Sequence, residues 1–187
     1  MHTQQKNQGM DSINRQQPEE NHKDLTGTEA GKKIKELAEK ADTCYFCTKI
    51  TTGEPLRTRP MAIRKVDESG SFWFLSANDS RKNADIASDK RVQLLFQGSE
   101  NSDFLSIYGD ASISTDKALI KDLWNPLLKT WFTEGEDDSR ITVIRIDTQQ
   151  GYYWDNKHGN TVAFAKMAIG AVLGKTLDDS IEGTLTV

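Results

Sequence analysis

Histidine and cysteine are scarce in this chain, with three and two respectively among 187 residues. Two of the histidines, His2 and His22, lie in the first 25 positions, leaving His158 alone in the body of the chain, which argues against a histidine-based catalytic or metal cluster. Two cysteines are too few for a disulfide framework and fit a reducing, cytoplasmic setting. No run of about 18 apolar residues occurs, so no membrane span is expected, and the first 25 residues lack the hydrophobic core of a secretion signal. A net charge of −4 gives no electrostatic reason to expect nucleic acid or an acidic membrane as partner. Also missing are a G-x-G-x-x-G following a strand, a Walker loop, H-E-x-x-H and G-x-S-x-G. No internal repeat is visible, and the length suits one domain with an appendage.

The N-terminal stretch, residues 1–25, is rich in Gln, Asn, Glu and Lys and nearly free of apolar side chains. It cannot bury enough surface to offset its ordering entropy, so a mobile tail is expected ahead of a single domain over residues 26–187. Thr26 and Glu29 have capping-box spacing, and Ala30, Ile34, Leu37, Ala38 and Ala41 form one helical stripe. Thr43–Thr51 then reads as a strand. Its Cys44 and Cys47 have C-x-x-C spacing, but a strand sends residues three apart to opposite faces, so two small buried hydrophobes compete with a redox or metal pair.

The stretch Phe72–Lys82 (FWFLSANDSRK) is the focus of the chain. Phe72–Leu75 suits a pleated surface, Ser76–Ser80 breaks it with turn-forming residues, and Ala84, Ile86 and Ala87 recur at helical spacing behind an N-cap at Asp79 or Ser80. Arg81 and Lys82 therefore occupy the first turn of a helix, where the dipole favours acids. Two cations there point to a bound anion held by free N–H groups, a serine hydroxyl and both charges, the alternative being a solvated basic pair.

Leu56–Val66 reads as one strand that the turn Asp67-Glu68-Ser69-Gly70 joins to the Phe72 strand as a hairpin. Pro60 inside it places that strand at an edge or beside a ligand. Arg91–Gln97 and Asp103–Ser114 are further strands, with Gly109 marking a bulge or a close backbone approach. Asp116–Trp131 is helical in pattern, kinked or split at Pro126. Gly135–Asp138 reads as a solvated acidic loop, Ile141–Asp147 as a strand pairing with Gly151–Trp154, and Val162–Val172 as a last helix serving core or interface. Six or seven short strands, mostly joined by short turns, predict a mainly β protein: an antiparallel split β-barrel with flanking helices.

At Arg59-Pro60-Met61-Ala62-Ile63-Arg64, Asp67-Glu68, Phe74-Leu75-Ser76 and Ser80-Arg81-Lys82 the chain resembles the flavin-binding signature of the pyridoxamine 5′-phosphate oxidase-like split-barrel family. The similarity runs from the Ala30 helix to about Trp154. Leu123-Trp124-Asn125-Pro126, Trp131-Phe132 and Gly135 are more similar to the general stress protein branch than to the biosynthetic oxidase. The resemblance implies a homodimer with FMN, or FAD as the alternative flavin, in clefts between subunits. It implies that Arg59, Pro60, Met61, Ala62 and Arg64 line the flavin, that Leu75 and Ser76 contact it, and that Ser80, Arg81 and Lys82 hold its phosphate. Trp154 matches a tryptophan supplied across the dimer. The chain departs from the oxidase at Phe104, where the oxidase has a flavin-contacting glutamine. It departs again over Asp155–Lys166, which carries no arginine where the oxidase grips the vitamin phosphate.

No residue reads as a dedicated acid or base, so hydride transfer to and from the flavin is the chemistry implied. Three functions compete: a flavin-dependent oxidoreductase acting on a nicotinamide cofactor or a small redox substrate, a flavin-sequestering stress protein without turnover, and a true pyridoxamine phosphate oxidase. The missing arginine segment counts against the third.

Overall fold

The computed structural model describes residues 20–51, 53, 55–100, 102–173 and 179–187. In chain order its elements are β1 (Leu25–Thr26), α1 (Gly27–Ala41), β2 (Thr43–Thr48), β3 (Arg57–Ala62), β4 (Lys65–Val66), β5 (Phe72–Ala77), α2 (Arg81–Ser88), β6 (Arg91–Gln97), β7 (Phe104–Ser114), α3 (Lys117–Leu123), β8 (Ile141–Asn156), α4 (Asn160–Leu173) and β9 (Ser180–Thr186). Short 3-10 turns at Pro126–Thr130 and Gly135–Asp137 separate α3 from β8.

Strand β8, 16 residues long, is the spine of the sheet. β7 runs antiparallel to it from Phe104↔Trp154 to Ser114↔Val143. On its other side β5 takes the first half, Ala77↔Ile141 to Phe72↔Ile146, and β9 takes the second, Gln150↔Thr186 to Asn156↔Ser180. The sheet continues through β6 and β2 to β3. The segment 57–66 pairs with β2 over β3 and with β5 over β4. Backbone pairing does not close the ring: the barrel is split where the chain crosses from β3 to β4. The interior holds Phe46, Phe72, Phe74 and Phe96, with Phe46 edge-on to Phe74 at 5.3 Å and Phe72 stacked on Phe96 at 5.3 Å. α1 seals this core with Ala30, Ile34, Leu37 and Ala38, the stripe expected from its periodicity. A second cluster, Leu75, Ile120, Leu123, Phe132, Ile141 and Val143, lies under α3.

Several expectations need correction. Nine strands occur among the described residues rather than six or seven, the extra ones being the two-residue β1 and β4 and the unanticipated β9. The expected strand over 56–66 is broken at Ile63-Arg64, and the inward parity shifts there: Met61, Ile63 and Val66 all reach the core. The expected hairpin between Ile141–Asp147 and Gly151–Trp154 is instead continuous β8. No turn intervenes because β7 pairs both halves, and the register shift needed along the way falls between Tyr108 and Gly109. The bulge expected at Gly109 is thus present; a Cβ there would lie 2.5 Å from the Asp147 carbonyl oxygen. Pro126 does split the helical stretch, since Pro lacks the N–H that would continue it. Asp138, expected to be solvated, is 1 % exposed and holds Arg140 at 2.7 Å. Thr26 caps α1 by position only, with no side-chain hydrogen bond, so the capping box does not form.

Residues 1–19 of the expected tail lie outside the described residues, but 20–25 do not behave as tail. Lys23 N–H donates to Glu182 O at 2.8 Å, Glu182 N–H donates to Asn21 O at 2.9 Å, and Leu25 pairs in parallel with Leu185. Gly183 lets the backbone of Lys23 lie flat against β9, since a Cβ there would strike the Lys23 carbonyl. The free edge of β9 supplies partners that polar composition alone does not reveal.

Candidate functional site

β5 alternates so that Phe72 and Phe74 face the barrel core while Leu75 faces the cluster under α3. Ser76 continues the Phe72–Phe74 face beyond the core, where α2 begins. Ser80 is the N-cap of α2, its Oγ accepting from Asn83 N–H at 3.3 Å. The Ser76 hydroxyl donates to Asn83 Oδ1 at 2.9 Å, Asn83 Nδ2 donates to Thr142 Oγ1 at 2.8 Å, and Thr142 Oγ1 donates to Ser76 O at 3.0 Å. This buried network locks β5, α2 and the start of β8 together.

Lys82 sits inside it. Its side chain is buried and its Nζ donates to Ser76 Oγ at 2.5 Å. Burial, and then repulsion from Arg59, lowers its pKa from the ordinary 10.5 to about 8. Among the described residues no carboxylate acts to raise it again. Arg59 reaches the same region from β3. Its NH2 donates to Thr48 Oγ1 at 2.9 Å and to Arg57 O at 3.0 Å, and lies 3.5 Å from Asp85 Oδ2. Its NH1 is buried and has no hydrogen-bond partner, the sole such side-chain atom among the described residues. Asp85, on α2 and 4 % exposed, accepts from Arg57 NH1 at 2.7 Å and from Thr48 Oγ1 at 2.7 Å.

A buried lysine without a counterion and a guanidinium nitrogen without a partner are each costly in an empty protein interior. An anion bound against both groups near the start of α2 would offset both costs. The structure therefore brings together Ser76, Ser80, Lys82 and Arg59 of the residues singled out from sequence. Arg81 is exposed at the first position of α2. Pro60 and Ala62 are exposed on β3, which offers a free edge beyond β2, as a strand proline requires; Met61 is half-buried against the barrel core. Arg64 is drawn away: its Nε donates to the Leu123 carbonyl at the end of α3 at 3.0 Å. Leu75 turns its side chain into the α3 cluster and away from the core face that Ser76 continues.

Trp154 lies at the opposite end of β8 from Thr142, twelve residues or roughly 40 Å of strand away at about 3.3 Å per residue. It is 43 % exposed and packs on Tyr152 with ring centroids 4.6 Å apart. Beside it a recess of about 460 Å³ is lined by Phe104 and Trp154 together with Ser102, Asp155, Asn156 and Ser180. One chain cannot bring Trp154 to the Lys82 site. Cys44 and Cys47 point to opposite faces, as strand geometry requires. Cys44 lies in the core, its thiol pushed up by burial, and Cys47 lies 3.4 Å from Thr58 Oγ1. Sequence reasoning missed Thr48, Asn83, Asp85 and Thr142. Helical spacing puts Asp85 on the Lys82 face of α2, which was a usable signal; the two threonines lie on strands distant in sequence and had none.

A family model described as pyridoxamine 5′-phosphate oxidase like matches residues 29–178. The protein bli-3 of Neurospora crassa is 31 % identical over 129 residues, 64 % of this chain and 62 % of that protein's length. Among solved structures, a protein described as general stress protein 26 from Jannaschia sp. CCS1 superposes with a TM-score of 0.66 at 18 % identity, covering 86 % of this chain and 96 % of that one. The general stress FMN/FAD binding protein of Xanthomonas citri does so with a TM-score of 0.53 at 26 % identity, covering 65 % of this chain and 84 % of that one. On the extent of the family match and the shared split barrel, this chain belongs to the pyridoxamine 5′-phosphate oxidase like family.

Proposed function

We propose that this protein binds FMN through its phosphate at the N-terminus of α2, and that it is a flavin-dependent oxidoreductase of the general stress protein type. The observation that carries the reading is the paired deficit at the site: Lys82 is buried without a carboxylate and Arg59 NH1 is buried without an acceptor. A phosphate monoester satisfies both, and Ser80 and Arg81 stand at the same helix start. The Xanthomonas citri relative, described as an FMN/FAD binding protein, supports a flavin as the carrier of that phosphate.

When bound, the flavin would supply hydride-accepting and hydride-donating chemistry. The chain's own residues anchor the phosphate (Lys82, Arg59), order the helix start (Ser80, Asn83) and leave β3 with a free edge along which a ring can lie. Trp154 reaches such a site only from a second copy of the chain, which supports a homodimer with shared sites. Leu127, Trp131 and Phe164, exposed at 77, 66 and 73 %, add apolar surface that such an assembly would cover.

A true pyridoxamine phosphate oxidase needs a second cationic pocket for the vitamin phosphate. Arg57 and Arg64, the arginines that could furnish one, are engaged by Asp85 and by the Leu123 carbonyl. A flavin-sequestering role without turnover remains the second reading, favoured by the fact that the polar groups at the site serve to hold the ligand. Purified protein that shows flavin absorption bands, and that bleaches on anaerobic addition of a reduced nicotinamide cofactor, supports the oxidoreductase. Bound flavin that stays oxidised with such donors favours sequestration. Failure of the flavin-stripped protein to bind FMN more tightly than riboflavin refutes the phosphate site itself. Light scattering at micromolar concentration tests the dimer, a monomer being the result against it.

A further inference from the structure

We infer that Asp85 is the positioning residue of the anion site, fixing the Arg59 guanidinium so that NH2 is held by protein while NH1 is presented to the ligand. The inference rests on the phosphate reading above. Arg59 projects from an edge strand, and a long arginine side chain carries substantial rotamer entropy that must be removed before it can serve as a preformed donor. The restraint is supplied from α2. Asp85 Oδ2 accepts from Thr48 Oγ1 at 2.7 Å, and Thr48 Oγ1 in turn accepts from Arg59 NH2 at 2.9 Å. The same carboxylate oxygen lies 3.5 Å from Arg59 NH2. Asp85 Oδ1 meanwhile takes Arg57 NH1 at 2.7 Å, and Arg59 NH2 donates back to the Arg57 carbonyl at 3.0 Å. One buried carboxylate thus ties β2, β3 and α2 around a single guanidinium.

The arrangement also sets the charge of the site. Arg57 and Asp85 cancel formally, which leaves Arg59 and Lys82 as two cations for a phosphate monoester of about −1.5 to −2 at neutral pH. The two roles a carboxylate could have here predict opposite signs. A mere bystander acid repels the phosphate, so neutralising it tightens binding. A positioning acid releases Arg59 when removed, so neutralising it weakens binding even though a negative charge has gone.

The test titrates the flavin-stripped full-length protein with FMN and with riboflavin, following quenching of flavin fluorescence. Asp85→Asn is expected to weaken FMN binding by about tenfold or more, with riboflavin affected less than about twofold. Thr48→Val, which removes the hydroxyl relay alone, is expected to move the FMN-to-riboflavin ratio in the same direction by a smaller factor. A general loss of packing would weaken both ligands together. FMN affinity that is unchanged or higher in Asp85→Asn, while Lys82→Ala loses its preference for FMN, overturns the inference and leaves the phosphate reading standing. Wild-type protein that binds both ligands equally overturns both. If Asp85→Asn does not fold, Thr48→Val decides alone: an unchanged ratio overturns the inference.

Discussion

Two lysines at opposite ends of the barrel, Lys40 exposed but paired with buried Asp103 and Lys82 itself buried, show how differently charge is handled in one small protein. Lys40 on α1 donates to Asp103 at 2.8 Å and lies 3.1 Å from Glu36, beside Lys33, which donates to Asp155 at 2.8 Å. Burial would lower the Lys40 pKa, but its hydrogen bonds to Asp103 and Glu36 outweigh that and raise it. Lys82 has a serine hydroxyl where Lys40 has two acids, and its pKa falls to about 8. The first cluster is complete and structural: its cations and acids neutralise one another around a cavity of about 550 Å³. The second is incomplete, its buried ammonium meeting only a neutral hydroxyl, and this deficit is what supports the proposed phosphate site.

The largest effect is expected from removing the incomplete cluster. Arg59→Ala with Lys82→Ala should lower FMN affinity by about two orders of magnitude or more, at roughly 1.5–3 kcal/mol per charge-assisted bond. Riboflavin, without the phosphate, should be nearly unaffected; isothermal titration with both ligands checks this, and an equal loss for both would remove the distinction between the lysines.

A second large effect is expected where the chain's N-terminal segment meets β9. Deleting residues 1–24 removes the Lys23 and Asn21 backbone bonds to Glu182, the Tyr153 hydroxyl's bond to Lys23 O at 2.8 Å, and the Asp24 bonds to Thr184. About 2–3 kcal/mol of stability should go with them, read as a lower melting temperature; an unchanged melting curve would show that the docking is energetically idle.

Methionine at each lysine sharpens the contrast by sign. Lys40→Met strands Asp103, which is 7 % exposed, without its cation, and should destabilise by about 2 kcal/mol after allowance for the exposure of Lys40 itself. Lys82→Met removes a buried unpaired charge and should stabilise the flavin-free protein by about 1 kcal/mol at neutral pH. Denaturant titrations that move both variants in one direction would contradict the assignment.

The smallest effects are those of pH. For Lys82, folded near 8 and unfolded near 10.5, the unfolded chain binds more protons between those values, so flavin-free stability rises across that window. FMN affinity should rise as the phosphate loses its second proton near pH 6, level off at about pH 7–8 and fall above pH 8, because the phosphate needs the ammonium form, while riboflavin affinity should not follow. Asp103 has the same sign of slope at the other end of the scale. Burial pushes it up, but Lys40, Ser99 and Ser102 bond its carboxylate and bring it to about 2 from 3.8. Its contribution is present above pH 4 and is lost as pH falls through 2. Chemical denaturation across pH 2–10 separates the two windows.

Much of the local structure was legible because it depends on near neighbours. The α1 stripe, the β6 run, the Asp67–Gly70 turn, the bulge at Gly109 and the break at Pro126 each follow from period, turn chemistry or a single special residue. In the Asp67–Gly70 turn, for example, Asp67 Oδ1 accepts from the N–H groups of Ser69 and Ser71 at 2.9 and 3.0 Å. The N-cap was narrowed to Asp79 or Ser80, and the structure gives Ser80. What failed was pairing across distance. Continuous β8 looked like two strands because its middle, Thr148-Gln149-Gln150, is polar, and only β7 alongside holds it straight. β9 and the docking of residues 20–26 depend on each other, and neither has a strong pattern alone.

A strand emptying into a helix that bears Arg81 and Lys82 at its start, on a chain poor in histidine and cysteine, is legible in the amino-acid order alone. Both follow from composition and from spacing within ten residues. Where each cation goes is a matter of packing. Lys82 turns inward and Arg81 outward; Arg59 joins Lys82 while Arg64 leaves for α3; Asp85 and Thr48 complete the arrangement from elements the sequence keeps far apart. Burial, which converts an ordinary lysine into an unmet charge, is a property of everything packed around the side chain and not of its own neighbours in the chain.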